Sequence, residues 1–131
     1  MTNVNNVAIL CVDDDPLVLD SLWLQLDRSL GKQFVVECAE SAEEGFEVIE
    51  NLANQGLRLV LVVSDWIMPQ MQGHEFVSRV RAAHPNLQAI VLSGQADEII
   101  LDKMLLQGSI AQYIRKPWDE EDLLSAILRL T

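Results

Sequence analysis

Four short apolar runs constrain the fold of this chain most strongly, because each leads to polar residues suited to metal or phosphoryl chemistry. The polar residues at the four ends are Asp13 with Asp14, Asp65, Ser93 and Lys116. In an open parallel sheet, ligands bind just outside the carboxyl ends of the strands. If the runs are strands of one such sheet, carboxylates, a hydroxyl and an ammonium group meet at one edge. Such a set suits a divalent cation and a phosphoryl group.

Helical segments alternate with the apolar runs along the whole chain. Asp15-Pro16 is typical of a helix start and predicts a first helix that ends near Ser29. Ser41 to Glu44 has the capping-box spacing and predicts a second helix that ends near Asn54. Further helices are expected over 74–84, 97–107 and 119–130, and strands over 7–12, 34–38, 59–65, 89–93 and 113–115. These elements form five consecutive βα units.

Five βα units with nearly all-apolar strands imply a parallel sheet that helices cover on both faces. The 131 residues are enough for one domain with a proper core and too few for two. We therefore predict an α/β fold, a single doubly wound (βα)5 three-layer sandwich over 1–131 with strand order 2-1-3-4-5. A flexible N-terminus is expected over 1–6, and no output domain is expected in this chain.

Charge and composition argue against several classes of protein. Twenty acidic residues against nine basic ones give a formal charge of −11, and the basic residues are dispersed along the chain. Because a nucleic-acid-binding domain normally carries a basic patch, direct contact with DNA or RNA is not expected. No segment reaches the roughly 18 apolar residues of a membrane span, and the polar start is unlike a signal peptide. A cytoplasmic protein without membrane contact is expected.

The two cysteines, Cys11 and Cys38, fall inside predicted strands. A free thiol at such a position behaves as a small hydrophobic side chain. A disulfide between neighbouring strands is compatible with strand geometry, but disulfides are rare in a reducing compartment. Two free thiols are therefore the expectation.

The motifs at the strand ends, taken together, resemble those of the receiver domains of bacterial two-component response regulators, the CheY-like family. The matching pieces cover essentially the whole chain and are Val12-Asp13-Asp14, Asp65 with Met68-Pro69 and Gly73, Ser93-Gly94, and 113–117. Each piece alone is common, whereas all of them in order at strand ends form a specific pattern. The resemblance implies the flavodoxin-like version of the predicted sandwich.

The resemblance also implies a role for each residue of the site. Asp65 is expected to be the phosphoacceptor, whose carboxylate becomes an acyl phosphate. Asp13 and Asp14 are expected to hold Mg²⁺ (or Mn²⁺) with Asp65 and the main-chain carbonyl of Ile67. Lys116 is expected to contact the phosphoryl oxygens. A cation also makes physical sense here, because unit charges about 4 Å apart repel by about 4 kcal/mol at an effective dielectric near 20.

Ser93 and Tyr113 resemble the switch residues of the family. Ser93 is expected to hydrogen-bond the phosphoryl group and to pull its loop inward, after which the ring of Tyr113 turns inward. The change is expected to reach the fourth helix, fifth strand and fifth helix. The implied partners are a histidine kinase or phosphotransfer protein as donor, and an output domain or downstream protein as recipient. The chain is thus expected to be a signalling domain, not an enzyme, whose only chemistry is its own phosphorylation and dephosphorylation.

The fourth and fifth helices carry more apolar residues than one buried stripe needs. The surplus fits either a deeply buried pair of helices or an exposed partner or homodimer surface. The candidate residues of that surface are Ile100, Met104, Leu124 and Leu128. The sequence leaves both interpretations open.

Three other interpretations fit the motifs less well than the resemblance does. A haloacid-dehalogenase-like phosphatase uses an Asp-x-Asp spacing, which Asp13 and Asp15 supply. Its nucleophile would be Asp13 rather than Asp65. The later acidic motif and the cap of such a phosphatase have no counterpart in this sequence. A flavodoxin-like electron carrier is disfavoured, because three consecutive acidic residues stand where a flavin phosphate binds. A receiver-like domain that binds partners without phosphorylation is disfavoured by the complete set of acidic residues.

Overall fold

The computed structural model describes residues 6–94 and 98–131, and its strands form one parallel sheet. The strands are β1 (Val7–Val12), β2 (Val35–Ala39), β3 (Arg58–Asp65), β4 (Gln88–Ser93) and β5 (Gln112–Arg115). Their order in the sheet is β2-β1-β3-β4-β5, which confirms the predicted order. Of the segment predicted to be flexible, residues 1–5 lie outside the described ranges, as does the predicted start of the fourth helix at Asp97.

Helices cover both faces of this sheet. They are α1 (Pro16–Leu30), α2 (Ala42–Asn54), α3 (Gly73–Ala83), α4 (Glu98–Gln107) and α5 (Glu120–Leu130). Helices α1 and α5 share a core on one face, whereas α2, α3 and α4 pack on the other. The result is the predicted three-layer sandwich. Within the described ranges, no helix is long and apolar enough to cross a membrane.

The strands send alternate side chains into two cores. In β1, Ile9 and Cys11 lie in the core that α1 and α5 cover, whereas Ala8 and Leu10 lie in the core that α2 and α3 cover. All four residues are fully buried. Because both faces of the strand are covered, the sequence of β1 is a continuous apolar run rather than an alternation.

Side-chain caps begin the helices that follow the strand ends. Asp15 accepts a hydrogen bond from the N–H of Leu17 at 2.9 Å, and Ser41 accepts one from the N–H of Glu44 at 3.1 Å. Asp119 caps α5 in the same way. These caps satisfy N–H groups that have no partner inside the helix. The cap at Asp15 makes the chain turn into α1 directly after Asp13 and Asp14.

The predicted apolar surface on α4 and α5 is exposed only in part. Ile100 is 44% exposed and Leu128 is 52% exposed. Met104, in contrast, is 9% exposed and packs in the core with Leu101, so its assignment to a partner surface is wrong. The physical reason is helical periodicity, because residues three apart lie on the same face. Leu124 packs partly buried against the core of α1 and α5.

Candidate functional site

Three carboxylates from two neighbouring strands meet at the carboxyl edge of the sheet. Asp13 and Asp14 follow β1, and Asp65 ends β3, which pairs with β1. One carboxylate oxygen from each residue lies within 4.8 Å of the others. We call these three residues the acidic cluster, and their oxygens are close enough together to hold a metal ion. Carboxylate oxygens are the ligands that Mg²⁺ prefers in proteins.

The three carboxylates differ in burial. Asp13 is fully buried and Asp65 is 7% exposed, whereas Asp14 is exposed. The N–H of Asp13 donates to the carbonyl of Ala39 at 3.1 Å, which holds this residue between β1 and β2. The Oδ1 atom of Asp13 also accepts a hydrogen bond from the N–H of Asp15 at 2.9 Å. The acidic cluster is therefore held by two hydrogen bonds at Asp13 and is open to solvent at Asp14.

Lys116 reaches the acidic cluster from the end of β5. Its Nζ atom donates to Asp13 Oδ2 at 2.7 Å and to Asp65 Oδ1 at 3.0 Å. Its backbone N–H donates to the carbonyl of Ser93 at 2.8 Å, which places the lysine beside the end of β4. The peptide bond between Lys116 and Pro117 is cis. Three carboxylates against one ammonium leave excess negative charge that a divalent cation can balance.

The environment shifts the pKa values of two groups in the site. Burial raises the pKa of Asp65 to about 6, although the hydrogen bond from Lys116 acts to lower it, and the charge of Asp13 raises it further. Burial alone lowers the pKa of Lys116, but its hydrogen bonds to Asp13 and Asp65 outweigh burial and raise that pKa. At pH 7 and without a metal, Asp65 is therefore mostly ionised and Lys116 is charged.

The raised pKa of Asp65 predicts a pH-dependent stability of the metal-free protein. The pKa is about 6 in the folded protein against an ordinary value of 3.8, so folding favours the protonated acid and stability falls as the pH rises from about 4 to about 6. The full shift corresponds to about 3 kcal/mol, and we expect a loss of about 1–2 kcal/mol because the group keeps some contact with water. The variant Asp65→Asn should lack this loss.

Urea unfolding in EDTA at about pH 4 and about pH 8 measures the difference between wild type and Asp65→Asn. All other acidic groups are shared by the two proteins, so the difference reports the loss of the Asp65 carboxyl together with its interactions with Asp13 and Lys116. Parallel pH profiles for the two proteins would contradict the prediction.

Ser93 lies at the same edge of the sheet as the acidic cluster. It is 1% exposed and ends β4, and the preceding residue, Leu92, is the register partner of Asp65. Ser93 therefore lies one residue further along β4 than the register partner of Asp65. The sequence predicts this placement at a strand end. Its hydrogen bond to a phosphoryl group stays a prediction.

The loop that follows Asp65 folds back onto the end of β3. The N–H of Gly73 donates to the carbonyl of Trp66 at 2.9 Å, so α3 begins against the strand end. A Cβ atom on Gly73 would lie 1.9 Å from the carbonyl oxygen of Asp65, which leaves room for glycine alone. Ile67, in the same loop, has a side chain that is 54% exposed. The role of its main-chain carbonyl as a metal ligand stays a prediction.

Tyr113 is tied to α4 by a contact that the sequence analysis did not identify. Its hydroxyl donates to Asp102 Oδ1 at 2.9 Å, and this hydrogen bond raises the pKa of Tyr113. Arg115, on the same strand, forms an ion pair with Glu98 of α4. The predicted inward turn of the Tyr113 ring therefore requires the hydrogen bond to Asp102 to break. A pair of this kind across a strand and a helix leaves no motif in the sequence.

Comparisons with known proteins point to one family. The model of the response regulator receiver domain matches residues 9–128. The response regulator MprA of Mycobacterium sp. (strain KMS) is 34% identical over 128 residues, which are 95% of this chain and 52% of that protein. The hybrid signal transduction histidine kinase D of Dictyostelium discoideum is 29% identical over 130 residues, which are 98% of this chain and 8% of that protein. The chain thus spans about half or less of the length of these relatives.

A solved structure shows the same likeness in three dimensions. The crystal structure of a CheY-like response regulator receiver domain protein from Methanospirillum hungatei JF-1 superposes with a TM-score of 0.79 at 30% identity. The match covers 95% of this chain and 92% of that one. The likeness therefore extends over nearly the whole of both chains.

Proposed function

The chain belongs to the response regulator receiver domain family, and we propose that it is switched by transfer of a phosphoryl group to Asp65 from a histidine kinase or phosphotransfer protein. The observation that carries this proposal is the acidic cluster, whose carboxylate oxygens lie within 4.8 Å of one another with Lys116 Nζ 3.0 Å from Asp65. Such a donor obtains its phosphoryl group from ATP, so the proposal includes a cytoplasmic location. The recipient of the signal is an output domain or a downstream protein.

The residues of the acidic cluster divide the proposed chemistry between them. The ionised carboxylate of Asp65 attacks phosphorus, and the bond from phosphorus to the donor nitrogen breaks. Asp13, Asp14 and the Ile67 carbonyl join Asp65 as the proposed ligands of Mg²⁺ (or Mn²⁺). When bound, the cation neutralises the charge that develops on the phosphoryl oxygens.

Lys116 and Ser93 are the proposed contacts of the phosphoryl group after transfer. Lys116 already donates to Asp65 Oδ1 at 3.0 Å, so its ammonium needs little movement to pair with a phosphoryl oxygen on that carboxylate. The hydroxyl of Ser93 is proposed to donate to another phosphoryl oxygen from the end of β4. The inward movement of this loop is proposed to release Tyr113 from Asp102.

Phosphorylation by a small-molecule donor tests the proposed function. We expect incubation with acetyl phosphate to add one phosphoryl group in the presence of Mg²⁺ and none in EDTA, as measured by intact-mass spectrometry. Hydroxylamine should remove the group, because it cleaves an acyl phosphate and spares a phosphoserine. Labelling that is equal in EDTA, or that survives hydroxylamine, would contradict the proposal.

The exposed apolar residues of α4 and α5 are the proposed output surface. Ile99 is 83% exposed and Leu106 is 89% exposed, and both lie in the same helix as Ile100. Leu128 of α5 is also exposed. Tyr113 contacts Asp102 of the same helix, and a change at Tyr113 is proposed to reach this surface through α4. Sedimentation of the phosphorylated and untreated samples measures self-association, and a monomer in both would exclude the homodimer.

Ile67 is expected to lengthen the life of the acyl phosphate. Its side chain stands two residues after Asp65 and is bulky and apolar, so it should hinder the approach of water to phosphorus. We expect Ile67→Asn to lose its phosphoryl group several times faster than wild type. The decay is followed by intact mass after the donor is removed. Ile99→Asn, a change at an exposed isoleucine of α4, is the control, and equal decay in all three proteins would rule out the proposed role.

A further inference from the structure

Cys11 and Cys38 face each other across neighbouring strands. Cys11 of β1 is the register partner of Cys38 of β2. Both pack in the core that α1 and α5 cover, so the two side chains lie on the same face of the sheet. The chain contains two cysteines, so this pair accounts for every thiol of the protein.

The backbone spacing at this pair is compatible with a disulfide. Neighbouring strands of a sheet lie about 4.8 Å apart. Disulfide-bonded cysteines have Cα atoms about 4.4–6.8 Å apart. Register partners on adjacent strands have Cα atoms within this interval, so the backbone spacing permits a bond between Cys11 and Cys38.

The two thiols differ in their access to solvent. Cys11 is fully buried, whereas Cys38 is half-buried. Cys38 lines a surface cavity of about 480 Å³, whose walls include Leu19, Trp23 and Glu40. A water molecule occupies about 30 Å³ in the liquid, so a small oxidant has ample room. A solute therefore reaches Cys38 first.

The chemical environment of Cys38 supports its role as the reacting thiol. The neighbouring thiol of Cys11 lowers the pKa of the Cys38 thiol below its ordinary value. Burial and the nearby carboxylates of Glu37, Asp20 and Glu44 act in the opposite direction but do not cancel the effect. Accessible thiols with a lowered pKa that have a second thiol beside them are the ones that oxidise reversibly.

We propose that Cys11 and Cys38 are a peroxide-sensitive pair that oxidises to an intramolecular disulfide. The Cys38 sulfur attacks one oxygen of the peroxide and becomes a sulfenic acid, while the other oxygen leaves as water. The Cys11 sulfur then attacks the Cys38 sulfur and displaces the hydroxyl, which takes the Cys11 proton and leaves as a second water. The two thiols lose two electrons, and hydrogen peroxide is reduced to two waters.

The new bond lies directly behind the acidic cluster. The next register pair along the strands is Val12 with Ala39, and the carbonyl of Ala39 accepts the hydrogen bond from the N–H of Asp13. Oxidation thus adds a covalent tie between β1 and β2 next to the hydrogen bond that holds Asp13. The modification itself does not depend on the proposed phosphorylation of Asp65.

Peroxide treatment of the full chain tests the pair. After hydrogen peroxide, denaturation and alkylation, we expect wild type to lose both free thiols together and to yield one linked pair of peptides containing Cys11 and Cys38. The protein should remain a monomer on a non-reducing gel, and dithiothreitol should restore both thiols. The proposal is overturned if both thiols stay free, if the disulfide joins two chains, or if Cys38 oxidises alone.

Two single variants separate the roles of the thiols. In Cys11→Ala, we expect Cys38 to stop at the sulfenic acid, which dimedone traps. In Cys38→Ser, we expect Cys11 to stay reduced because it is fully buried. Rapid oxidation of Cys11 in Cys38→Ser would overturn the assignment of Cys38 as the attacking thiol. Circular dichroism verifies the fold of each variant. If Cys11→Ala does not fold, Cys38→Ser still tests the assignment, because it leaves the buried Cys11 in place.

Discussion

Asp65→Asn is expected to abolish phosphorylation by acetyl phosphate, because an amide oxygen is too weak a nucleophile to form the acyl phosphate. The substitution keeps the size of the side chain and removes a buried charge, so the fold should persist. Intact-mass spectrometry in Mg²⁺ measures the outcome. Labelling of Asp65→Asn at the wild-type rate would contradict the assignment of the phosphoacceptor.

Two further aspartates serve as matched variants for this prediction. Asp13→Asn should still be labelled at Asp65, but more slowly, because it removes one proposed metal ligand and one partner of Lys116. Asp15→Asn should be labelled like wild type, because asparagine caps a helix as well as aspartate does. The phosphatase interpretation makes the opposite prediction, with labelling lost in Asp13→Asn and retained in Asp65→Asn.

Gly73→Ala is expected to lower the free energy of unfolding by about 3 kcal/mol, the upper end of the usual range for overpacking. The added Cβ would lie 1.9 Å from the carbonyl oxygen of Asp65 and 2.9 Å from its carbonyl carbon. Both are backbone atoms, so the clash cannot be relieved by a side chain turning away. Either β3 or the start of α3 must move, and each movement displaces Asp65. Phosphorylation should therefore fall together with stability.

Urea unfolding compares Gly73→Ala with Gly94→Ala, a second glycine-to-alanine change close to the site. A Cβ on Gly94 would have Lys116 Cδ at 3.9 Å as its nearest neighbour, an ordinary contact, so a small effect on stability is expected. Equal stability of the two variants would show that the chain relaxes around the clash at Gly73.

Most of the fold could be predicted from local features of the sequence. The strands are recognisable because a parallel sheet covered on both faces requires almost wholly apolar runs. The start of α1 is recognisable because Asp15 and Pro16 satisfy the requirements of a helix N-terminus locally. The strand order follows from the alternation of strands and helices together with the family pattern, and the observed order confirms it.

The surface of α4 shows where sequence reasoning reached its limit. Apolar residues surround this helix, so the sequence does not indicate which of them faces the sheet. Packing buries Leu101 and Met104 and leaves Ile99 and Leu106 exposed. The choice depends on how the helix sits against its neighbours in the fold, which no local pattern encodes. The same holds for the hydrogen bond between Tyr113 and Asp102.

The sequence by itself determined the residue types that stand at the strand ends, because strand and helix signals are local along the chain. Only the tertiary structure decided the distances between these residues and how deeply each one is buried. Lys116 meets Asp65 across 51 positions of sequence, and the burial that raises the pKa of Asp65 to about 6 comes from packing of the whole sheet. The register that sets Cys11 opposite Cys38 is likewise a property of the assembled strands. Electrostatic and covalent chemistry depend on separations of a few ångströms, and only the folded chain sets those separations.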